Sequence, residues 1–165
     1  MNEIQYNIKV QMKKAFFDKL REDFNNNPPK TEHIKILINE LYEALCKFVP
    51  SKKNIHEKIK KDLIINEISL NKMPNIVISL IKWIELFQAP VYDKITNKWK
   101  NKFKSYNNCT NFLITFLEEY YNHLELTYKE LIEARIRLIN GDSVIPEKYR
   151  KKINNISDIK MKTGN

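Results

Sequence analysis

Glycine is almost missing from this chain. Gly141 and Gly164 are the only two in 165 residues, so residues 1–140 offer no Cβ-free position for a phosphate-cradling loop or a tight two-residue hairpin. The common nucleotide-binding fingerprints are thereby excluded. Cysteine is as sparse: Cys46 and Cys109 stand far apart with no C-x-x-C partner, which signals neither a disulfide framework nor a zinc module and leaves both read as reduced. Arginine supplies only 4 of the 29 basic residues. The longest apolar run, Ile76–Phe87, is broken by Lys82 and Glu85 and is shorter than the roughly 20 residues a membrane span needs. The first residues show no unbroken apolar centre of a secretory leader. No membrane span is expected, and an intracellular place is, cytoplasmic rather than nuclear.

Apolar residues make up 42% of the chain and aromatics 11%, enough for one hydrophobic core and one domain. The net charge of +9 and pI near 9.4 suit an acidic partner, because lysine clusters displace counterions from phosphate backbones. Against a dedicated nucleic-acid groove stands the preference of lysine over arginine, whose planar fork reads phosphates and bases bidentately. Lys, Asn and Ile share AT-rich codons, so an AT-rich genome, that of a protist or a large DNA virus, accounts for part of the lysine.

Apolar spacing predicts an all-α bundle of about six helices. Ile4, Ile8, Met12, Phe16, Leu20 and Phe24 recur every four residues and predict one helix with a single buried stripe. Asn25 to Pro29 ends it. A second helix is expected from Thr31, a candidate N-cap, to Val49, with Ile34, Leu37, Ile38, Leu41, Leu45 and Phe48 inward. Asn54 and Glu57 resemble a capping box for a third, carrying Ile55, Ile59, Leu63 and Ile68. Pro74 opens a fourth, over residues 75–88, apolar around more than half its girth and therefore central. Ile95, Trp99 and Phe103 mark a strongly basic fifth helix. The polar run Ser105–Asn111 separates it from a long helix, from Phe112 to the stop at Asn140-Gly141. The bundle domain is thus placed at residues 1–145. Residues 146–165 read as a basic, poorly patterned tail, loosely attached.

Candidate chemistry is thin. None of His33, His56 and His123 has a Glu three positions before it, so the helical Glu-x-x-His metal site is missing. Glu119 and His123 sit one turn apart and could form an acid–base pair, but the same spacing ordinarily makes a surface contact. Cys46 reads as a small hydrophobe beside the second helix's stripe rather than a nucleophile. Tyr120, Tyr121, Tyr128 and Phe116 could stack on bases, yet their helical spacing fits core packing. No catalytic residue, cofactor or metal is expected.

The order "FFDKLREDFNNNPPKTEHIKILINELYEAL", a proline, "IHEKIKKDLI" and "IVISLIKWIELFQAPVYD" resembles the N-terminal part of the T-complex protein 11 family. The corresponding elements are Phe17-Asp18-Lys19-Leu20, Pro28-Pro29, Pro50 and Ala89-Pro90-Val91-Tyr92-Asp93. Tyr92 stands where the family has arginine, and the chain is shorter than typical members. The resemblance implies an all-helical, non-catalytic protein connected with intracellular signalling, near cyclic-AMP-dependent kinase pathways.

Two sets of site residues follow. Pro90, Tyr92 and Asp93 form a candidate surface for a protein partner; the alternative reading of Asp93 is an N-cap for the fifth helix, after Pro90 stops the fourth at Ala89. Lys94, Lys98, Lys100, Lys102 and Lys104, with Lys148, Arg150, Lys151 and Lys152, form a candidate surface for nucleic acid or another acidic partner; a solvated lysine face is the plain alternative.

Overall fold

A computed structural model describes residues 2–104, 110–141 and 144–164. They form α1 (Glu3–Phe24), α2 (Glu32–Cys46), α3 (Lys53–Asp62), α4 (Met73–Phe87), α5 (Asp93–Lys104), α6 (Thr110–Ile139) and α7 (Glu147–Gly164), and no strand occurs among the described residues. The all-α expectation holds, with seven helices in place of about six. Cys109 and most of the run Ser105–Asn111 lie outside the described residues.

Helix α4 is the hub. Met73, Ile76, Val77, Leu80, Ile81, Ile84 and Phe87 are all buried, and the helix packs against α3, α5, α6 and α7. This is what an apolar surface covering more than half its girth demands. Tyr120 of α6, itself fully buried, satisfies its hydroxyl by donating to the Leu80 carbonyl at 2.7 Å. The Phe48 and Phe87 rings stack 4.4 Å apart. Helix α2 buries Ile34, Leu37, Ile38, Leu41 and Leu45 as its pattern predicts, although Thr31 makes no side-chain capping bond.

Helix α3 departs from expectation at both ends. It starts at Lys53, so Asn54 lies inside it and does not cap it. It also ends well short of Ile68, because Ile64 takes a left-handed backbone conformation, φ 53° and ψ 45°, before a 3-10 turn over Ile65–Glu67. A β-branched residue there costs on the order of 1–2 kcal/mol, which the fold sustains.

The apolar stripe of α1 is only half buried. Leu20 and Phe24 are sealed, whereas Ile4, Ile8 and Met12 are 71%, 53% and 68% exposed. A four-residue repeat on a helix of 3.6 residues per turn drifts about 40° at each step, roughly 200° from Ile4 to Phe24. One straight helix cannot turn the whole stripe to one core. The face of α1 that follows α6 carries Lys9, Lys13, Phe17 and Arg21, which meet Glu125 at 3.7 Å, Asn122 at 2.6 Å, the Tyr121 ring at 6.2 Å and Glu118 at 3.1 Å.

The segment after Pro146 is also corrected. It forms α7, and Tyr149, Ile153 and Ile156 join the core cluster. Their spacing of four and three residues is a one-sided helical stripe, short enough to be hidden by the surrounding lysines and asparagines.

Candidate functional site

Where α4 meets α5 the chain makes a sharp polar corner. Gln88 and Ala89 are extended, at ψ 152° and 143°, as the geometry before Pro90 requires. Pro90 then opens a 3-10 turn over Pro90–Tyr92 that runs directly into α5. The expected stop of α4 holds. The expected cap does not: Asp93 already has helical backbone angles, φ −57° and ψ −28°, whereas an N-cap is extended. Its carboxylate turns back to the corner, where Oδ1 accepts from Gln88 Nε2 at 3.0 Å and Oδ2 faces Lys148 Nζ at 3.8 Å. The charge still lies in the first turn of the helix and favours its dipole.

Gln88 holds the corner together. It is wholly buried, and its Nε2 also approaches Thr96 Oγ1 at 3.2 Å. A carboxylate only accepts, so the amide nitrogen must face Asp93 and its oxygen must face His123 Nε2, 2.8 Å away. His123 therefore carries a proton at Nε2. Burial pushes its pKa down and so favours the neutral ring. Thr96, also buried, donates to Glu85 Oε2 at 3.1 Å. The main-chain oxygen of Gln88 receives Lys152 Nζ of α7 at 2.8 Å, and burial lowers that ammonium's pKa. One residue thus ties together four helices, α4 to α7.

The residues expected to meet a protein partner are largely turned into this corner. Tyr92 packs edge-on against His123, centroids 5.1 Å apart, and its hydroxyl donates to Glu130 at 2.6 Å, which drives the phenol pKa up to about 12. Pro90 and Asp93 are half-buried; Val91 between them is exposed. Glu119 and His123 take separate partners: Glu119 Oε2 accepts from Trp99 Nε1 at 2.9 Å and His123 from the corner network. Cys46 is half-buried, its thiol pKa raised by burial.

The lysine set divides in three. Lys94, Lys98 and Lys102, with Asn97 and Asn101, line a shallow open depression of about 580 Å³ on the outer face of α5. Lys100 pairs with Glu85 at 2.7 Å and, with Lys82 and Lys104, rims a slot of about 360 Å³ with Ile81 and Phe103 as its floor and Ile78 at its mouth. In α7, Lys151 pairs with Glu147 at 3.8 Å, while Lys152 is the structural tie already described. Among the described residues no three His, Cys, Asp or Glu side chains gather into a metal-binding group, and no helix is long and apolar enough to cross a membrane.

Two features escaped the sequence reading. The Gln88–Thr96–His123 network spans 35 residues and joins types that carry no spacing signal. The slot draws its floor from two helices, and only the position of Ile78 outside the inward set of α4 hinted at it. In comparison with known proteins, the family described as T-complex protein 11 matches residues 1–141. No curated protein and no solved structure matches the chain.

Proposed function

The chain belongs to the T-complex protein 11 family, and from that premise we propose that it is a non-catalytic helical module, regulatory in role, that binds another protein through the slot between α4 and α5. The carrying observation is the slot itself. Ile78 is 47% exposed above a floor of Ile81 and Phe103, and three lysines stand around an opening with little polar surface inside. An apolar anchor flanked by acidic side chains is the complement of that arrangement, with the anchor supplying affinity and the charges supplying orientation and on-rate. The corner network suits the same role, because Gln88 and Thr96 lock α5 against α4 and so hold the two walls at a fixed angle.

The test compares wild type with Ile78→Asp and with Lys82→Glu/Lys104→Glu in quantitative affinity capture from the native cell. One stoichiometric acidic partner, retained by wild type and lost from both variants while their melting temperatures hold, is the expected result. Equal recovery by all three, or only ribosomes and chaperones, would refute the reading.

The ladder of Lys94, Lys98 and Lys102 favours a second reading, binding of a nucleic-acid backbone. Its members are spaced about 6 Å apart along the helix, with Asn97 and Asn101 between them. Filter binding across a salt series tests it: each lysine replaced by glutamine should reduce the salt slope by about 1. Weak binding indifferent to these replacements would leave only nonspecific charge.

A further inference from the structure

The three imidazoles of this chain are held in different ways. His56 Nε2 donates to the Val49 carbonyl at 2.7 Å, and His123 Nε2 donates to Gln88 in the buried corner, so in both rings Nε2 is already engaged. His33 is turned round. Its Nδ1 meets Asp23 Oδ2 at 2.5 Å, and a carboxylate only accepts, so Nδ1 carries the hydrogen and the lone pair of the neutral ring lies on Nε2. Among the described residues the hydrogen bond of this ring is the one at Nδ1. The Asp23 side chain is 1% exposed and that of His33 is 38% exposed, which places a sealed carboxylate behind an open imidazole. Phe16 packs edge-on against the ring, centroids 6.3 Å apart. A carboxylate at one ring nitrogen fixes the tautomer and raises the basicity of the other, which makes that other nitrogen the better nucleophile.

We propose that His33 is a modification site, its Nε2 accepting a phosphoryl group from a donor of the N-phosphoryl or acyl-phosphate class. The surroundings suit an anionic electrophile. His33 is the second residue of α2, where the positive end of the helix favours added negative charge. The Thr31 side chain leaves that end uncapped. Lys19 Nζ stands 3.6 Å from Asp23 Oδ1, and Glu32 is the acidic residue of the same first turn. In the transfer the Nε2 lone pair forms the N–P bond while the donor's P–N or P–O bond breaks, and the leaving group departs with that electron pair. The ring keeps its hydrogen at Nδ1 and gains a positive charge, which the Asp23 carboxylate meets. Asp23 is thus a positioning residue. The site draws on α1 and α2 alone and stands independently of the α4/α5 slot.

Phosphoramidate, whose P–N bond breaks to release ammonia, is the probe. The folded full chain is treated with it, peptide mapping identifies the histidine modified, and phosphorus NMR identifies the nitrogen. The expected product is Nε2-phosphohistidine at His33, formed about tenfold faster or more than product at His56 or His123. In urea, where the Asp23 contact is lost, the three rates should converge. His33→Gln should abolish the fast product, and Asp23→Asn, with folding checked by its melting temperature, should slow it about tenfold. Equal rates at the three histidines of the folded chain overturn the proposal, as does modification of His33 at Nδ1 or a His33 rate unchanged by urea. A folded Asp23→Asn that reacts as wild type does counts equally against it. The comparison of folded with urea-treated wild type decides the outcome should Asp23→Asn fail to fold.

Discussion

Replacing Gln88 with leucine removes the centre of the corner while nearly keeping its volume, so the loss reports hydrogen bonds rather than a cavity. Thr96 keeps two other partners, Glu85 Oε2 and the Asp93 carbonyl, each at 3.1 Å. Asp93 is half-exposed and retains water and Lys148, so its lost bond costs about 1 kcal/mol. His123 is hit hardest: its Nε2–H loses the acceptor at 2.8 Å in a site only 6% exposed and keeps only the long contact to Thr127 Oγ1 at 3.5 Å, and a poorly satisfied buried donor costs about 1–3 kcal/mol. The total is about 3 kcal/mol, read in equilibrium urea unfolding as a lower midpoint at constant slope. The double variant Gln88→Leu/His123→Leu should cost less than the sum of the single ones, because removing both partners leaves nothing unsatisfied between them. A Gln88→Leu cost below about 1 kcal/mol, or strict additivity in the double variant, would refute the reasoning.

Burial depresses the His123 pKa, so the unfolded chain binds the proton more readily, and this residue's contribution to stability is present above its ordinary pKa near 6.5 and falls away as the pH drops towards the depressed value. Urea midpoints at pH 7.5 and pH 5 should therefore converge between wild type and His123→Asn at the lower pH; parallel shifts would contradict this. Tyr92→Phe, which loses only the hydroxyl bond to Glu130, should cost about 1 kcal/mol and remove from the ultraviolet pH titration a phenol with a pKa of about 12. Ile153→Ala, inside the segment first read as a tail, should cost about 2–4 kcal/mol because its side chain is fully buried; a cost within about 0.5 kcal/mol, as at a surface site, would detach α7 from the core.

Much of the fold was legible because long amphipathic stretches report their own burial. The inward residues of α2 and the broad apolar face of α4 could be named from spacing, and Gly141, at φ 80°, ends α6 at the expected helix stop. What failed did so for identifiable reasons. In α1 a regular repeat of four passed for one stripe, although its drift on a 3.6-residue helix leads away from the core. The same stretch alternates as Ile4, Tyr6, Ile8, Val10 and Met12, and a helix necessarily splits such a run between two faces. In α7 three apolar residues among many lysines sufficed, because α4 offered a surface to receive them. Asp93 looked like a cap because its type is right for one; the deciding partner, Gln88, lies across the turn and points inward. The lysines were visible as a group, but their division into ladder, slot rim and structural tie depends on which acids the fold brings beside them.

The most direct test of the proposed function places a photo-crosslinking residue at position 78, at the mouth of the slot, and as a control at position 36, where Ile36 of α2 is 50% exposed. Irradiation in the native cell should yield one dominant protein adduct from position 78 that is missing from position 36 and lost when Lys82 and Lys104 are both changed to glutamate. Matching adduct patterns at the two positions, or an adduct at position 78 indifferent to those lysines, would contradict the account.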